Sequence, residues 1–195
     1  DNVMIELDGE EPPAGDGSSA RFVALIKEAG IEEQGTEATV WNCETPFSVS
    51  EGSSRYTVSP GVGFVISGSI EFDHPCIGRQ HRWCDVRPDS FADEIGLART
   101  FGFLDDAAAL RAAGMARGAD MTNTIVLTAD GLYDGVELRY EDEFVRHKIL
   151  DIVGDLALVG RRITAHIVAE RPGHRGNIAL ARGIALRANH VEKGQ

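Results

Sequence analysis

The segment from residue 141 to 156 constrains this chain more than any other. Val145, Ile149, Ile152, Val153 and Leu156 recur at helical spacing and form one apolar stripe. His147, Asp151 and Asp155 recur at i, i+4 and i+8 and share a different face. The rest of the chain offers this helix short strands to pack on. Between residues 39 and 72, apolar runs are cut by Gly, Pro and Ser, the pattern of short strands and turns. Further strands are expected at 3–7, 100–103, 124–127 and 163–168, with a turn at Asp130-Gly131. Helices are expected from Ser18 or Ser19 to 29, ended by Gly30, and over 89–99, 105–113 and 177–188. Strands and helices mix without regular βαβ alternation, which predicts a layered α+β fold. The polar stretch 32–37 reads as a linker.

Charge and cysteine content narrow the function classes. The net charge of -12 excludes bulk attraction to nucleic acid or anionic lipid, while leaving room for a local basic pocket. Three cysteines, an odd number without a CxxC, argue against a disulfide framework and point to a reducing cytosol. No run approaches the roughly 20 apolar residues of a spanning helix. The chain opens on Asp1 with a strand-like pattern directly after it, so an N-terminal portion is expected to be missing or supplied by another chain.

Three sets of residues are candidates for chemistry. A His and a carboxylate four apart on a helix, as in His147 and Asp151, hold one metal ion from adjacent turns, and their ligand atoms suit zinc. The competing reading is a solvated face with i,i+4 pairing. His174 follows Pro172-Gly173 just before the last helix, a loop position open to catalysis or to an ordinary polar side chain in solvent. His74, Cys76, His81 and Cys84 are zinc-ligand types close in sequence, though not at finger spacings. The run Gly15-Asp16-Gly17-Ser18 lacks the Lys of a P-loop and reads as a turn plus helix cap.

Four motifs occur together in a fixed order: DGSSARFV at 16–23, IEFDHP at 70–75, ARTFGF at 98–103 and EDEFVRHKILD at 141–151, continuing to Gly154-Asp155. This set resembles the UDP-3-O-acyl-N-acetylglucosamine deacetylases, over nearly the whole chain. The resemblance implies two related α+β domains, each a two-layer sandwich, with the active site between their helices. Residues 1–35 would be the end of the first domain and 36–195 the second, with an insert over about 100–127. That insert would shape an acyl-chain passage in which Ala107, Met115, Ala116, Ala119, Met121 and Val126 fall.

The resemblance also implies an activity: zinc-dependent hydrolysis of the acetamide of UDP-3-O-acyl-N-acetylglucosamine in lipid A biosynthesis, in the cytoplasm. His147 and Asp151 match two of three zinc ligands. Thr100 matches an oxyanion-holding hydroxyl, His174 the imidazolium that protonates the leaving amine, and Asp155 the carboxylate paired with it. Lys148 matches a lysine near zinc and substrate. Glu71 and Phe72 match residues near the uracil, Phe101 and Asp106 residues of the insert near the substrate, and Arg171 a basic residue near the diphosphate. The family's third ligand, a His beside a general-base Glu in the first domain, has no match here. This chain alone is therefore expected to bind zinc weakly and turn over poorly. Two alternatives stay open: an inactive relative that binds a UDP-sugar or a partner, and a structural zinc protein using His74, Cys76, His81 and Cys84.

Overall fold

The computed structural model describes residues 2–9, 11–106, 112 and 120–192. The fold is α+β. Its elements in chain order are α1 (Ala20–Ala29), β1 (Val40–Asn42), β2 (Phe47–Glu51), β3 (Ser54–Ser59), β4 (Phe64–Glu71), β5 (Arg79–Asp85), β6 (Phe101–Phe103), β7 (Ile125–Thr128), β8 (Gly131–Leu132), α2 (Glu143–Leu156), β9 (Arg162–Glu170) and α3 (His174–Glu192). A six-stranded mixed sheet runs β2-β3-β9-β4-β5, with β1 joining β9 in parallel at Trp41↔Ile163. The late strand β9 lies at the centre, antiparallel to β3 and parallel to β4. A smaller sheet runs β6-β7-β8.

Helices α2 and α3 cover one face of the large sheet and pack on each other. The alternating residues Ile163, Ala165, Ile167 and Ala169 of β9 turn inward and are buried. Ile149, Ile152 and Leu156 of α2 meet them in the same core, with Leu180 and Ile184 of α3. Ile149 is fully buried, and full burial of such a side chain is worth about 1.5–3 kcal/mol. Close contact depends on Gly68 of β4, where an added Cβ would stand 2.9 Å from Ile149 Cγ1. Phe144 and Val145 at the start of α2 turn to a second cluster with Ile70, Ile77, Ile125 and Leu127. Helix α2 thus joins the two sheets.

Several expectations need correction. Residues 3–7 form no strand, and Val3, Ile5 and Leu7 are exposed. Extended backbone becomes a strand only with a ladder partner, and none pairs with it among the described residues. The expected helix 89–99 is instead the turn Pro88–Ser90 running into a π-helical turn, Phe91–Ile95. Helix α3 starts at His174. Strand β5 was not expected at all. Helix α1 ends at Gly30 as expected (φ 86°), but its serines are used differently. The Ser19 hydroxyl donates to Gly96 O at 3.0 Å, and Ser18 Oγ accepts from Ala20 N at 3.3 Å. Residues 31–39 are largely exposed and lie outside any helix or strand. Of the expected helix 105–113, residues 105, 106 and 112 are described and helical, and the passage residues Ala107, Met115, Ala116 and Ala119 lie outside the described residues. Met121 is exposed, and Val126 is half-buried in β7.

Candidate active site

Helix α2 carries the centre of the site. The face bearing His147 and Asp151 is not solvated, since both residues are buried at 6% and 8% exposure. His147 Nδ1 lies 3.0 Å from the Ala98 carbonyl, and a carbonyl only accepts, so Nδ1 carries the proton. Burial, more than its charged neighbours, pushes the His147 pKa down and keeps the ring neutral. Nε2 is then a free lone pair, 3.3 Å from Asp151 Oδ1.

That separation fits a shared ion. With zinc bonds of about 2.0–2.2 Å, two tetrahedral ligands stand roughly 3.3–3.5 Å apart. Among the described residues, no third His, Cys, Asp or Glu completes a three-ligand group with them.

The remaining candidates gather unevenly around this pair. Lys148 Nζ donates to Asp151 Oδ2 at 2.8 Å and sits 5.2 Å from the centre of the Phe101 ring. Phe101 in β6 stands edge-on to His147 at 6.4 Å and to Phe144 at 4.9 Å. His174 opens α3, with Nδ1 2.8 Å from Asp155 Oδ2 and Nε2 4.0 Å from Asp151 Oδ2. Thr100 follows two residues after the Ala98 carbonyl and is pinned through its N–H to Gly17 O at 2.8 Å.

A second group lies at the far ends of β4 and β9. A cavity of about 290 Å³ is lined by Ser53, Ser54, Ile70, Glu71, Phe72, Arg171, Pro172 and Gly173. Arg171 forms an ion pair with Glu71 across it. Arg171 sits in the left-handed region (φ 47°), where a non-glycine residue is strained. Its carbonyl is held by the Ser54 hydroxyl at 2.7 Å. Phe72 packs on Phe101 and Phe103 at 5.7 and 5.8 Å, so aromatic rings bridge from the cavity to His147. Asp106 is exposed, at the edge of the described segment.

Sequence reasoning missed four residues of this site: Asn177, Ala98, Arg99 and Glu143. Asn177 is wholly buried, donates to Asp155 at 2.8 Å and accepts from the Tyr56 hydroxyl at 2.6 Å. The Ala98 carbonyl orients His147, and Glu143 binds the Arg99 backbone and guanidinium. The sequence holds no local signal for these pairs, because each joins distant segments.

The alternative zinc cluster does not form. His81 and Cys84 are three apart on β5 and point to opposite faces, exposed and buried respectively. His74 Nε2 is taken by Thr128 O at 2.6 Å. All three cysteines are free thiols.

A family model described as UDP-3-O-acyl N-acetylglycosamine deacetylase matches residues 1–186. The chain belongs to this deacetylase family. A relative from Syntrophotalea carbinolica, named UDP-3-O-acyl-N-acetylglucosamine deacetylase, is 41% identical over the whole of this chain and 64% of its own length. Deacetylases of the same name from Oleidesulfovibrio alaskensis and Myxococcus xanthus are 41% and 42% identical over 95% and 94% of this chain, and 61% and 59% of their own. The chain thus spans 59–64% of the length of these deacetylases. Among the described residues, no helix of this deacetylase-family chain is long and apolar enough to cross a membrane.

Proposed function

We propose that this chain is the catalytic-helix part of a zinc-dependent deacetylase. The complete protein hydrolyses the acetamide of UDP-3-O-acyl-N-acetylglucosamine and releases acetate, in the cytoplasm, as a step of lipid A and lipopolysaccharide biosynthesis. The observation that carries this reading is the buried His147 Nε2–Asp151 Oδ1 pair, 3.3 Å apart with its tautomer fixed, beside the His174–Asp155 pair. Residues 1–35 close a first domain and 36–195 form the second, and the remaining part of the protein supplies a third ligand and a general base.

When bound, zinc supplies Lewis acidity toward the acetamide carbonyl and water. His147 and Asp151 hold it. Asp155 fixes the His174 ring through Nδ1, leaving Nε2 toward the reacting group, where it donates a proton to the departing amine. The Thr100 hydroxyl donates to the developing oxyanion. Lys148 offsets the charge of Asp151 and faces the substrate with Phe101. Phe72 and Glu71 receive the uridine, and Arg171 the diphosphate, at the cavity they line. Asp106 and the insert border the acyl chain.

The absence of a three-ligand group among the described residues favours a second reading, an inactive UDP-sugar-binding relative. Metal content and acetate release decide between them, measured on this chain and on the complete protein its gene encodes, with and without His147→Ala. About one zinc per complete protein, with activity and metal both lost in the variant, is the expected result. A complete protein that binds a UDP-sugar but holds no zinc and releases no acetate overturns the hydrolase reading.

A further inference from the structure

The peptide unit joining Ala98 to Arg99 is gripped at both ends by side chains of α2. Its carbonyl accepts from His147 Nδ1 at 3.0 Å, and its N–H donates to Glu143 Oε1 at 2.9 Å. Glu143 and His147 are one helical turn apart. Glu143 is wholly buried and also accepts from Arg99 Nε at 2.9 Å, Arg99 Nη2 at 3.1 Å and Arg139 N at 2.6 Å. Burial alone would raise its pKa, but these donors hold the carboxyl below its ordinary range, so it is an anion at neutral pH.

We propose that Glu143 is a positioning residue for metal binding: its carboxylate, the Ala98–Arg99 amide and His147 form a relay that strengthens His147 Nε2 as a ligand. The proposal rests on the reading of His147 as a metal ligand. An anion at the N–H end of an amide raises the electron density on its carbonyl oxygen, because hydrogen bonds in a chain polarise one another. A better acceptor at Nδ1–H fixes the tautomer and makes Nε2 more basic, as a directly contacting carboxylate does in a carboxylate–histidine–zinc triad. Here the amide stands between, so the full negative charge stays away from the ion and the substrate.

The competing account is that Glu143 only anchors Arg99. The two accounts separate on the Arg99 side chain. Arg99→Lys deletes the guanidinium fork to Glu143 but keeps a cation beside the carboxylate, and with it the anion and the backbone N–H. Glu143→Gln keeps size and one acceptor oxygen but removes the charge.

The test uses the complete protein and reads its zinc dissociation constant by competition with a chromophoric chelator. Glu143→Gln is expected to weaken zinc binding about tenfold or more, and Arg99→Lys to change it by no more than about twofold. Equal losses in the two variants overturn the relay. An arm without variants guards against misfolding: polarisation is mutual, so loading wild-type protein with zinc is expected to move the Arg99 amide proton downfield in the NMR spectrum. An unmoved proton overturns the relay. His147→Ala separates the two levels: a wild-type protein without zinc affinity, or with affinity unchanged by His147→Ala, overturns the ligand reading and the relay with it.

Discussion

Replacing Asn177 by leucine tests how the His174 side of the site is built. The side chain is wholly buried between two partners, accepting from the Tyr56 hydroxyl at 2.6 Å and donating to Asp155 at 2.8 Å. Leucine has the same number and branching of side-chain heavy atoms and bonds to neither. Tyr56 is itself 1% exposed, so its hydroxyl is left without an acceptor, at a cost of about 1–3 kcal/mol. Asp155 loses one charged hydrogen bond, worth about 1.5–3 kcal/mol, but it is 18% exposed and water makes good part of that loss. The sum is about 3 kcal/mol. With a urea m-value of roughly 2 kcal/mol per molar, the unfolding midpoint falls by about 1.5 M. Tyr56→Phe alone is expected to cost about 1–1.5 kcal/mol. The double variant removes the stranded hydroxyl together with its partner. Its loss should therefore fall short of the sum of the single losses by about 1 kcal/mol. Losses that add to within about 0.5 kcal/mol refute the argument, because the two groups would then be energetically independent.

Three further outcomes are expected. The depressed pKa of Glu143 makes its share of stability fully present above its ordinary value of 4.5 and lost as pH falls below that through the lower folded value. The melting temperature should drop on acidification across that window, and the drop should shrink in Glu143→Gln. Gly68→Ala forces Ile149 to shift and should cost about 1–3 kcal/mol in urea unfolding. Burial pushes the Cys84 thiol up to about 11, so a thiol reagent at mild pH should label the half-buried Cys76 first and reach Cys84 only on unfolding.

What could be read from the sequence was local. The α2 stripe and the i,i+4 pair of His147 and Asp151 are written within one helix, and β3 and β9 alternate because one of their faces is covered by helices. Strand β5 escaped because it is an edge strand. Its outward residues Arg79, His81 and Trp83 are exposed, and Cys84 alone is fully buried, so no apolar alternation marks it. Residues 3–7 misled for the opposite reason, having alternation but no ladder partner among the described residues. The π-helical turn at 91–95 adds a residue to its turn for tertiary reasons, which no period in the sequence declares. In the candidate site, the residue types were legible, while the groups that hold them in place were not. Ala98 contributes only a backbone carbonyl, and Arg99 meets Glu143 across 44 residues of chain.

The segment before α1 is fastened to the site segment by several bonds. Thr100 N–H reaches Gly17 O, Ser19 N–H reaches Gly96 O, and Arg139 grips Asp16 while donating to Leu97 O. None of these passes through the exposed stretch 31–39. Hydrolysis of the Gly35–Thr36 peptide bond would sever the polypeptide and leave every one of those hydrogen bonds in place. A nicked sample would run as two bands on a denaturing gel and still travel as one particle in native buffer. The shorter piece would remain as a brace on the strand that presents Thr100 and Phe101.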